Sequence, residues 1–236
     1  MTQRSEDLAT NLSAVRRRII SACEAAQRSP DEVSLTVVTK FFPASDVRIL
    51  VDLGVSDVGE NRHQEASAKA TECAGLRLRW RFIGGLQSNK AAAVAAYADV
   101  VESVDRTKLV SGLQRGAHER GHAVDILLQV SLDPPGAEHR SGADAADLGA
   151  LASAVDQADA LHLRGLMAVA PLPDPGVDPD VAFARLAEIH AEFVSAHPLA
   201  TELSAGMSGD LEAAIRHGAT RVRVGSAVLG PRPGVQ

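Results

Sequence analysis

The sequence predicts a closed (β/α)8 barrel of the TIM type, preceded by one extra helix. Short β-like runs alternate strictly with helical stretches, which implies parallel strands joined by right-handed crossovers. There are eight strand candidates in 236 residues, which matches the size of one eight-stranded barrel. A doubly wound open sheet is the alternative that the pattern leaves open. We expect residues 1–236 to form a single domain.

The first predicted element is an amphipathic helix. Apolar residues recur along it at spacings of three and four, which places them on one face: Leu8, Leu12, Val15, Ile19 and Cys23. Three consecutive arginines, Arg16, Arg17 and Arg18, are interpreted as part of its solvated face.

After Pro30 the alternating pattern begins. The predicted strands cover residues 33–39, 57–59, 79–83, 99–103, 124–132, 163–168, 202–204 and 221–224. The predicted helices cover residues 44–54, 62–73, 88–97, 105–120, 143–157, 179–196 and 209–217. Residues 171–179 contain four prolines and are interpreted as a long loop after the sixth strand.

Composition argues against several classes of protein. A net charge of -6 and only 3% aromatic residues disfavour general nucleic-acid binding, which needs basic surfaces and stacking platforms. Cys23 and Cys73 show neither a CxxC nor a zinc-binding spacing, so we expect neither a disulfide framework nor a metal site. The polar first residues and the lack of a long apolar run predict a cytoplasmic protein without a membrane span.

Lys40 is the first candidate for chemistry. In the first strand Leu35 and Val37 share an apolar face that suits helix packing, so the opposite face, with Lys40 at its end, points into the barrel. Barrel active sites lie at the carboxyl ends of the strands, where a partly desolvated lysine is a candidate Schiff-base nucleophile. The alternative is a strand-end lysine in solvent.

Two glycine-containing turns near the end of the sequence suggest a phosphate site. Ser204–Asp210 leads into the last long helical run, and Gly225–Ser226 follows the eighth strand. Loops after strands seven and eight form the recurrent phosphate site of this fold, because backbone N–H groups there can face an anion. Ser208 could donate its hydroxyl to the phosphate or cap the helix.

Other polar residues keep two interpretations each. Arg221 and Arg223 share the inward face of the eighth strand and need either an internal carboxylate or a ligand as acceptor. Glu60 and Asn61 could orient a ligand or satisfy loop backbone. Ser88 is a good N-cap for the helix after it, and His118 with His122 lacks a third metal ligand.

Taken in order, nine segments resemble the pyridoxal-phosphate homeostasis protein family, whose fold is similar to the barrel domain of alanine racemase. No single segment is diagnostic, but the ordered set covers almost the whole chain. The segments are Val38-Thr-Lys40, Gly59-Glu-Asn61, Gln64-Glu65, Trp80-Arg-Phe-Ile-Gly84, Leu86-Gln-Ser-Asn-Lys90, Ser103-Val-Asp-Arg106, Gly165-Leu-Met167, Leu203-Ser-Ala-Gly-Met-Ser208 and Val222-Arg-Val-Gly225.

The resemblance implies a set of roles around pyridoxal 5'-phosphate. Lys40 would form the internal aldimine, and Arg223 would face the pyridine nitrogen, with Asn61 beside the ring. The remaining site residues it implies, of which all but Met207 would hold the phosphate, are Met207, Ser208, Gly225 and Ser226.

The chain departs from the family pattern at several positions. Arg81 stands where the family has histidine, and Arg140 stands where it often has a lysine. Arginine keeps the charge but cannot form a Schiff base, so passing the cofactor on could differ here. Three milder departures are Ser226 for threonine, Leu229 for phenylalanine and Ala219 for serine.

The resemblance implies a monomeric, non-catalytic carrier that holds the cofactor and delivers it to apo-enzymes. The alternatives are an amino-acid racemase or decarboxylase that uses this cofactor, and a phosphate-binding lyase that uses Lys40 without one. Racemases of this fold take a second acid/base tyrosine from a separate β-domain, whereas the one tyrosine here, Tyr97, falls in a helical run. An arginine at the pyridine nitrogen would also weaken the electron sink. Both points favour the carrier.

Overall fold

The computed structural model describes residues 2–133, 141–171 and 178–232. It contains a closed barrel of eight parallel strands in sequence order, so the barrel prediction is confirmed and the open sheet is wrong. The strands are β1 Ser34–Val38, β2 Asp57–Glu60, β3 Arg79–Phe82, β4 Val100–Val104, β5 Val124–Gln129, β6 Leu161–Met167, β7 Glu202–Ser204 and β8 Arg221–Val224.

Helices cover the outside of the barrel. They are α1 Gln3–Ala25, α2 Ala44–Asp52, α3 His63–Glu72, α4 Ala91–Ala95, α5 Val110–Arg120, α6 Leu148–Asp156, α7 Pro179–Ala196, α8 Leu211–Arg216 and α9 Ser226–Leu229. Short 3-10 turns precede β1 and helices α4, α5 and α6. Within these described ranges, no helix combines the length and apolar character that a membrane span needs.

The opening helix forms as predicted, and its five apolar residues are all buried. It packs over α8 and α9. The solvated interpretation is confirmed for Arg16 and Arg17, which are exposed; Arg16 donates to Leu53 O and Gly54 O, and Arg17 to Ser13 Oγ. Arg18 is partly buried and pairs with Glu212 at 2.8 Å.

The first and last strands close the barrel side by side. Ser34 lies opposite Arg221 and Thr36 opposite Arg223, so β1 and β8 are neighbouring strands although they are far apart in the sequence. Leu35 and Val37 pack outward against the helices, whereas Thr36 Oγ1 accepts from Arg221 Nη1 inside the barrel at 3.3 Å. The period-two prediction for β1 therefore gives the correct faces.

The barrel interior is divided into two parts. Beneath β4, β5 and β6 it is apolar, with Val100, Leu127 and Met167 in contact. Towards β2, β3, β7 and β8 it contains charged side chains, which include Arg81, Arg221 and Glu202 and also Glu102 from β4. Both parts are buried, and the functional cavity lies above them at the carboxyl ends of β1 and β8.

Candidate functional site

A cavity of about 250 Å³ lies at the carboxyl ends of β1 and β8. Parallel strands present their ends and following loops at one face of a barrel, which is where the sequence placed the candidate residues. Six of the seven line this cavity: Lys40, Met207, Ser208, Arg223, Gly225 and Ser226.

Lys40 lies two residues after the end of β1 and is partly buried. Its surroundings lower the pKa of its ammonium group below the ordinary value, first through burial and then through the charges of Arg232 and Arg62. A larger share of the amine is therefore neutral near pH 7 than for a lysine in solvent. A neutral amine is the form that attacks a carbonyl carbon.

Phe41 forms an aromatic platform beside Lys40 that no sequence motif indicates. Lys40 Nζ lies 6.0 Å from the ring centroid, while the guanidinium carbons of Arg62 and Arg232 lie at 5.1 and 5.0 Å. Three cationic side chains thus surround one ring, and their distances from its centroid are those of cation–π contacts. Arg232 also lines the cavity. This concentration of positive charge attracts anions, and only the proximity of Phe41 to Lys40 in sequence hinted at it.

Two serine hydroxyls from different turns meet at the cavity. Ser226 Oγ, at the start of α9, lies 3.4 Å from Ser208 Oγ, which precedes α8. The turn after β8 can approach β1 closely because residue 225 is glycine: a Cβ there would lie 3.2 Å from Val38 O. Ser208 does not cap α8, whose N-cap is Asp210. Its hydroxyl instead faces the second turn.

The turn before α8 is only in part the open anion nest that the sequence suggests. Asp210 Oδ1 accepts from Met207 N at 2.5 Å, so this N–H group is satisfied within the protein. Arg18 from α1 donates to Ser208 O at 3.1 Å and holds the turn from outside. The Met207 N–H is therefore not available to a ligand, whereas the hydroxyl groups of Ser208 and Ser226 lie in the cavity lining.

Arg223 forms the floor of the cavity and is 3% exposed. Its terminal nitrogens donate to Ser204 Oγ at 2.7 Å and to Ala168 O at 2.8 Å. Both acceptors are neutral, and Glu102 Oε2 lies 3.9 Å away. Burial lowers the pKa of Arg223, although Glu102 and Asp210 oppose it. A fixed cation with only neutral direct acceptors lies where a ligand can reach it.

Arg221 pairs with internal carboxylates, which is one of the two alternatives that the sequence left open. Its Nε donates to Glu202 at 2.6 Å, and its Nη1 lies 3.4 Å from Asp57. Internal carboxylates therefore bind this arginine, beneath the cavity. Of the two arginines on this strand face, Arg221 therefore binds internal carboxylates, whereas Arg223 lines the cavity, where a ligand can bind.

Glu60 ends β2 and Asn61 follows it, and neither residue lines the cavity. The Asn61 Oδ1 atom is buried and has no hydrogen-bond partner among the residues that the structure describes. Glu60 turns away towards α3 and accepts from Lys69 at 2.6 Å. Gly84 approaches the Asn61 backbone so closely that a Cβ would overlap it, which fixes the loop after β2.

The remaining candidates have local roles. Ser88 lies in a 3-10 turn whose N-cap is Gln87 and makes no capping bond through its side chain, so the capping prediction is wrong. His118 contacts Asp159 at 2.9 Å on an exposed surface. Cys23 and Cys73 are buried and unpaired. Arg140 and most of the loop at 171–179 lie outside the described residues.

Comparison with known proteins agrees with the fold and its motifs. Residues 10–233 match the N-terminal domain family of alanine racemase, which defines the class of barrel. The pyridoxal phosphate homeostasis protein of Mycobacterium bovis is 43% identical over 97% of this chain and 94% of its own length. Its counterpart in Pseudomonas aeruginosa is 42% identical over 95% of this chain and 96% of its own.

A solved structure supports the same assignment. Synechococcus elongatus PipY, whose structure has PLP bound, superposes with a TM-score of 0.80 at 35% identity, covering 94% of this chain and all of PipY. The chain belongs to the pyridoxal phosphate homeostasis protein family.

Proposed function

We propose that this protein binds pyridoxal 5'-phosphate on Lys40 and acts in cellular homeostasis of the cofactor, delivering it to apo-enzymes without efficient turnover of amino acids. The observation that carries the proposal is one cavity lined by a half-buried lysine, two converging serine hydroxyls and a buried arginine. These groups match an aldehyde, a phosphate and a ring nitrogen. The names and the bound cofactor of the relatives support the same ligand.

Each part of the cavity has a separate task in this proposal. Lys40 would hold the cofactor covalently, through a C=N bond between its nitrogen and the aldehyde carbon, with the aldehyde oxygen lost as water. Ser208 and Ser226 donate to the phosphate, and Gly225 allows its close approach. The positive charge of Arg232 and Arg62 favours the phosphate dianion at the mouth.

Arg223 supports a carrier over an enzyme. Its guanidinium would donate a hydrogen bond to the pyridine nitrogen. It would not transfer a proton to that nitrogen, because a guanidinium stays protonated near neutral pH. A ring nitrogen that accepts a hydrogen bond but no proton is a weaker electron sink, and carbanion chemistry on the bound cofactor depends on that sink.

The position of Tyr97 supports the same distinction. Racemisation needs acid/base groups on both faces of the substrate carbon. Tyr97 does not line the cavity; its ring stacks on His63 at 5.8 Å, and burial raises the pKa of its hydroxyl. It is therefore poorly suited to move protons at Lys40.

The test combines chemical trapping with two functional assays. Borohydride reduction of the loaded protein and peptide mass mapping should place the pyridoxyl group on Lys40, and Lys40→Ala should abolish trapping. Loaded protein should transfer cofactor to an apo-enzyme that requires it. Recovery of the label mainly on another lysine, such as Lys90, would contradict the site. Sustained turnover of any L- or D-amino acid at about 1 s⁻¹ or more, an ordinary enzymatic rate, would replace the carrier with a racemase or decarboxylase.

A further inference from the structure

Behind Lys40, on the helix side of the sheet, lies a buried cation that the cavity does not use. Lys69 projects from α3 and is 5% exposed. Its ammonium group makes three short contacts: Thr39 O at 2.7 Å, Glu60 Oε1 at 2.6 Å and Glu65 Oε1 at 2.7 Å. One acceptor belongs to Thr39, which precedes Lys40, and the two glutamates contact Thr39 and Phe41, the residues on either side of Lys40.

The same acceptors bind the chain on both sides of Lys40. Before it, Thr39 is bound through its carbonyl to Lys69 and through its hydroxyl to Glu60, at 2.6 Å. After it, the Phe41 N–H group donates to Glu65 Oε1 at 2.5 Å. Lys69 joins these contacts, because it bridges the two glutamates.

The backbone after Lys40 has a conformation that needs such support. Phe41 has φ of +72°, in the left-handed region, where a residue with a Cβ is unfavourable. Such a residue persists only where its surroundings fix it. The Glu65 contact binds the N–H group of this residue, and a turn bond from Phe42 N to Thr39 O closes the segment.

We infer that Lys69, Glu60 and Glu65 are positioning residues that hold the backbone on either side of Lys40 and so aim its amine into the cavity. We call these three residues the Lys69 clamp. The inference rests on the proposed function, since it assigns a role to residues that do not contact the ligand. A lysine has four flexible side-chain bonds, so the direction of its amine depends on how firmly its backbone is held.

The clamp predicts a specific pattern of ligand affinity. Pyridoxal and pyridoxal 5'-phosphate share the aldehyde that Lys40 attacks, so loss of the clamp should weaken both by the same factor. We expect Lys69→Met and Glu65→Ala each to raise both dissociation constants about tenfold, the scale of one lost hydrogen bond to a charged group. Glu65→Gln keeps an oxygen that can accept from Phe41 N and should lose less than Glu65→Ala.

Three reference proteins make the test decisive. Leu151 lies on the buried face of α6, away from the site. Leu151→Ala should lower the stability of the fold and leave the affinities for pyridoxal and pyridoxal 5'-phosphate unchanged. The double variant Ser208→Ala with Ser226→Ala should weaken the phosphorylated ligand far more than pyridoxal. Lys40→Ala shows whether the affinity depends on the lysine.

The outcomes separate the two proposals. If Lys40→Ala binds both ligands like the wild type, the proposed function fails. If Lys40 is required but Lys69→Met and Glu65→Ala bind like Leu151→Ala, the clamp is wrong while the proposed function stands. A loss confined to the phosphorylated ligand in the clamp variants would also overturn the clamp. Should Lys69→Met not fold, the comparison of Glu65→Ala with Glu65→Gln decides alone.

Discussion

Arg81 and Arg223 are both buried in the same barrel, yet their charges are handled differently. Arg81, on β3, contacts three carboxylates: Glu102 at 2.5 Å, Asp57 at 3.1 Å and Glu202. Arg223, on β8, donates hydrogen bonds to the neutral oxygens of Ser204 and Ala168, and Glu102 lies farther away, at 3.9 Å. One cation is neutralised within the protein, and the other is held in place without a carboxylate within hydrogen-bond distance.

The electrostatics follow the contacts. Burial alone would lower the pKa of Arg81, but Glu102, Glu202 and Asp57 raise it above its ordinary value. In Arg223 the effect of burial dominates and the pKa is lowered. Arg81 hydrogen-bonds carboxylates and is a structural residue, whereas Arg223 hydrogen-bonds neutral oxygens and lines the cavity, which makes it the candidate ligand-binding residue.

Removing Arg81 should have the largest effect on stability. Arg81→Met leaves three carboxylates without their shared partner, one of them fully buried, and should lower the free energy of unfolding by about 3–5 kcal/mol. Urea denaturation of the protein without ligand measures this loss. Cofactor affinity of the folded variant should change little. A smaller loss than that for Arg223→Met would reverse the comparison.

Removing Arg223 should affect the ligand more than the fold. Arg223→Met leaves the Ala168 carbonyl without this donor, while Ser204 still donates to Glu102 at 2.6 Å. The loss of stability should be about 1–3 kcal/mol, and the absorption spectrum of bound pyridoxal phosphate should change as the ring nitrogen gains a proton.

Arg221→Met is the matched control for that variant, since it removes an arginine from the same strand face without touching the cavity. It should lower stability while leaving the spectrum of the bound cofactor unchanged. The same spectral change in both variants would mean that Arg223 has no special position at the ring.

The smallest expected effect is on acid stability. Burial raises the pKa of Glu102, but Arg81, Arg223 and the hydrogen bonds outweigh it, so the pKa lies below the ordinary 4.5. A lowered folded-state pKa contributes stability that is present above about pH 4.5 and is lost as the pH falls through the folded-state value. The free energy of unfolding, measured below pH 5, should therefore depend less steeply on pH in Glu102→Gln than in the wild type.

The alternation and periodicity of the sequence predicted the secondary-structure elements, but they gave no signal for most contacts between side chains of different elements. All eight strands follow from alternation, and the direction of Lys40 follows from the period of two in β1. Helix α9 was missed because four residues carry no periodicity, and α4 was predicted too long because its first turn is a 3-10 turn.

The residues that act through distant partners had no local signal. Arg81 lies in a short β-like run, and its three carboxylates come from β2, β4 and β7. Lys69 and Glu65 are visibly spaced i, i+4 on a helix, but their contacts with Thr39 and Phe41 exist only once α3 packs behind β1. Arg232 shares the Phe41 ring with Arg62 although 170 positions separate them.

The pairing of β1 with β8 also determines when the cavity can form during translation. Lys40 is translated well before Arg223, Gly225 and Ser226, which belong to β8 and the turn after it. The proposed cavity is therefore incomplete on a nascent chain until β8 has emerged and paired with β1, so a chain truncated before β8 should bind pyridoxal phosphate weakly.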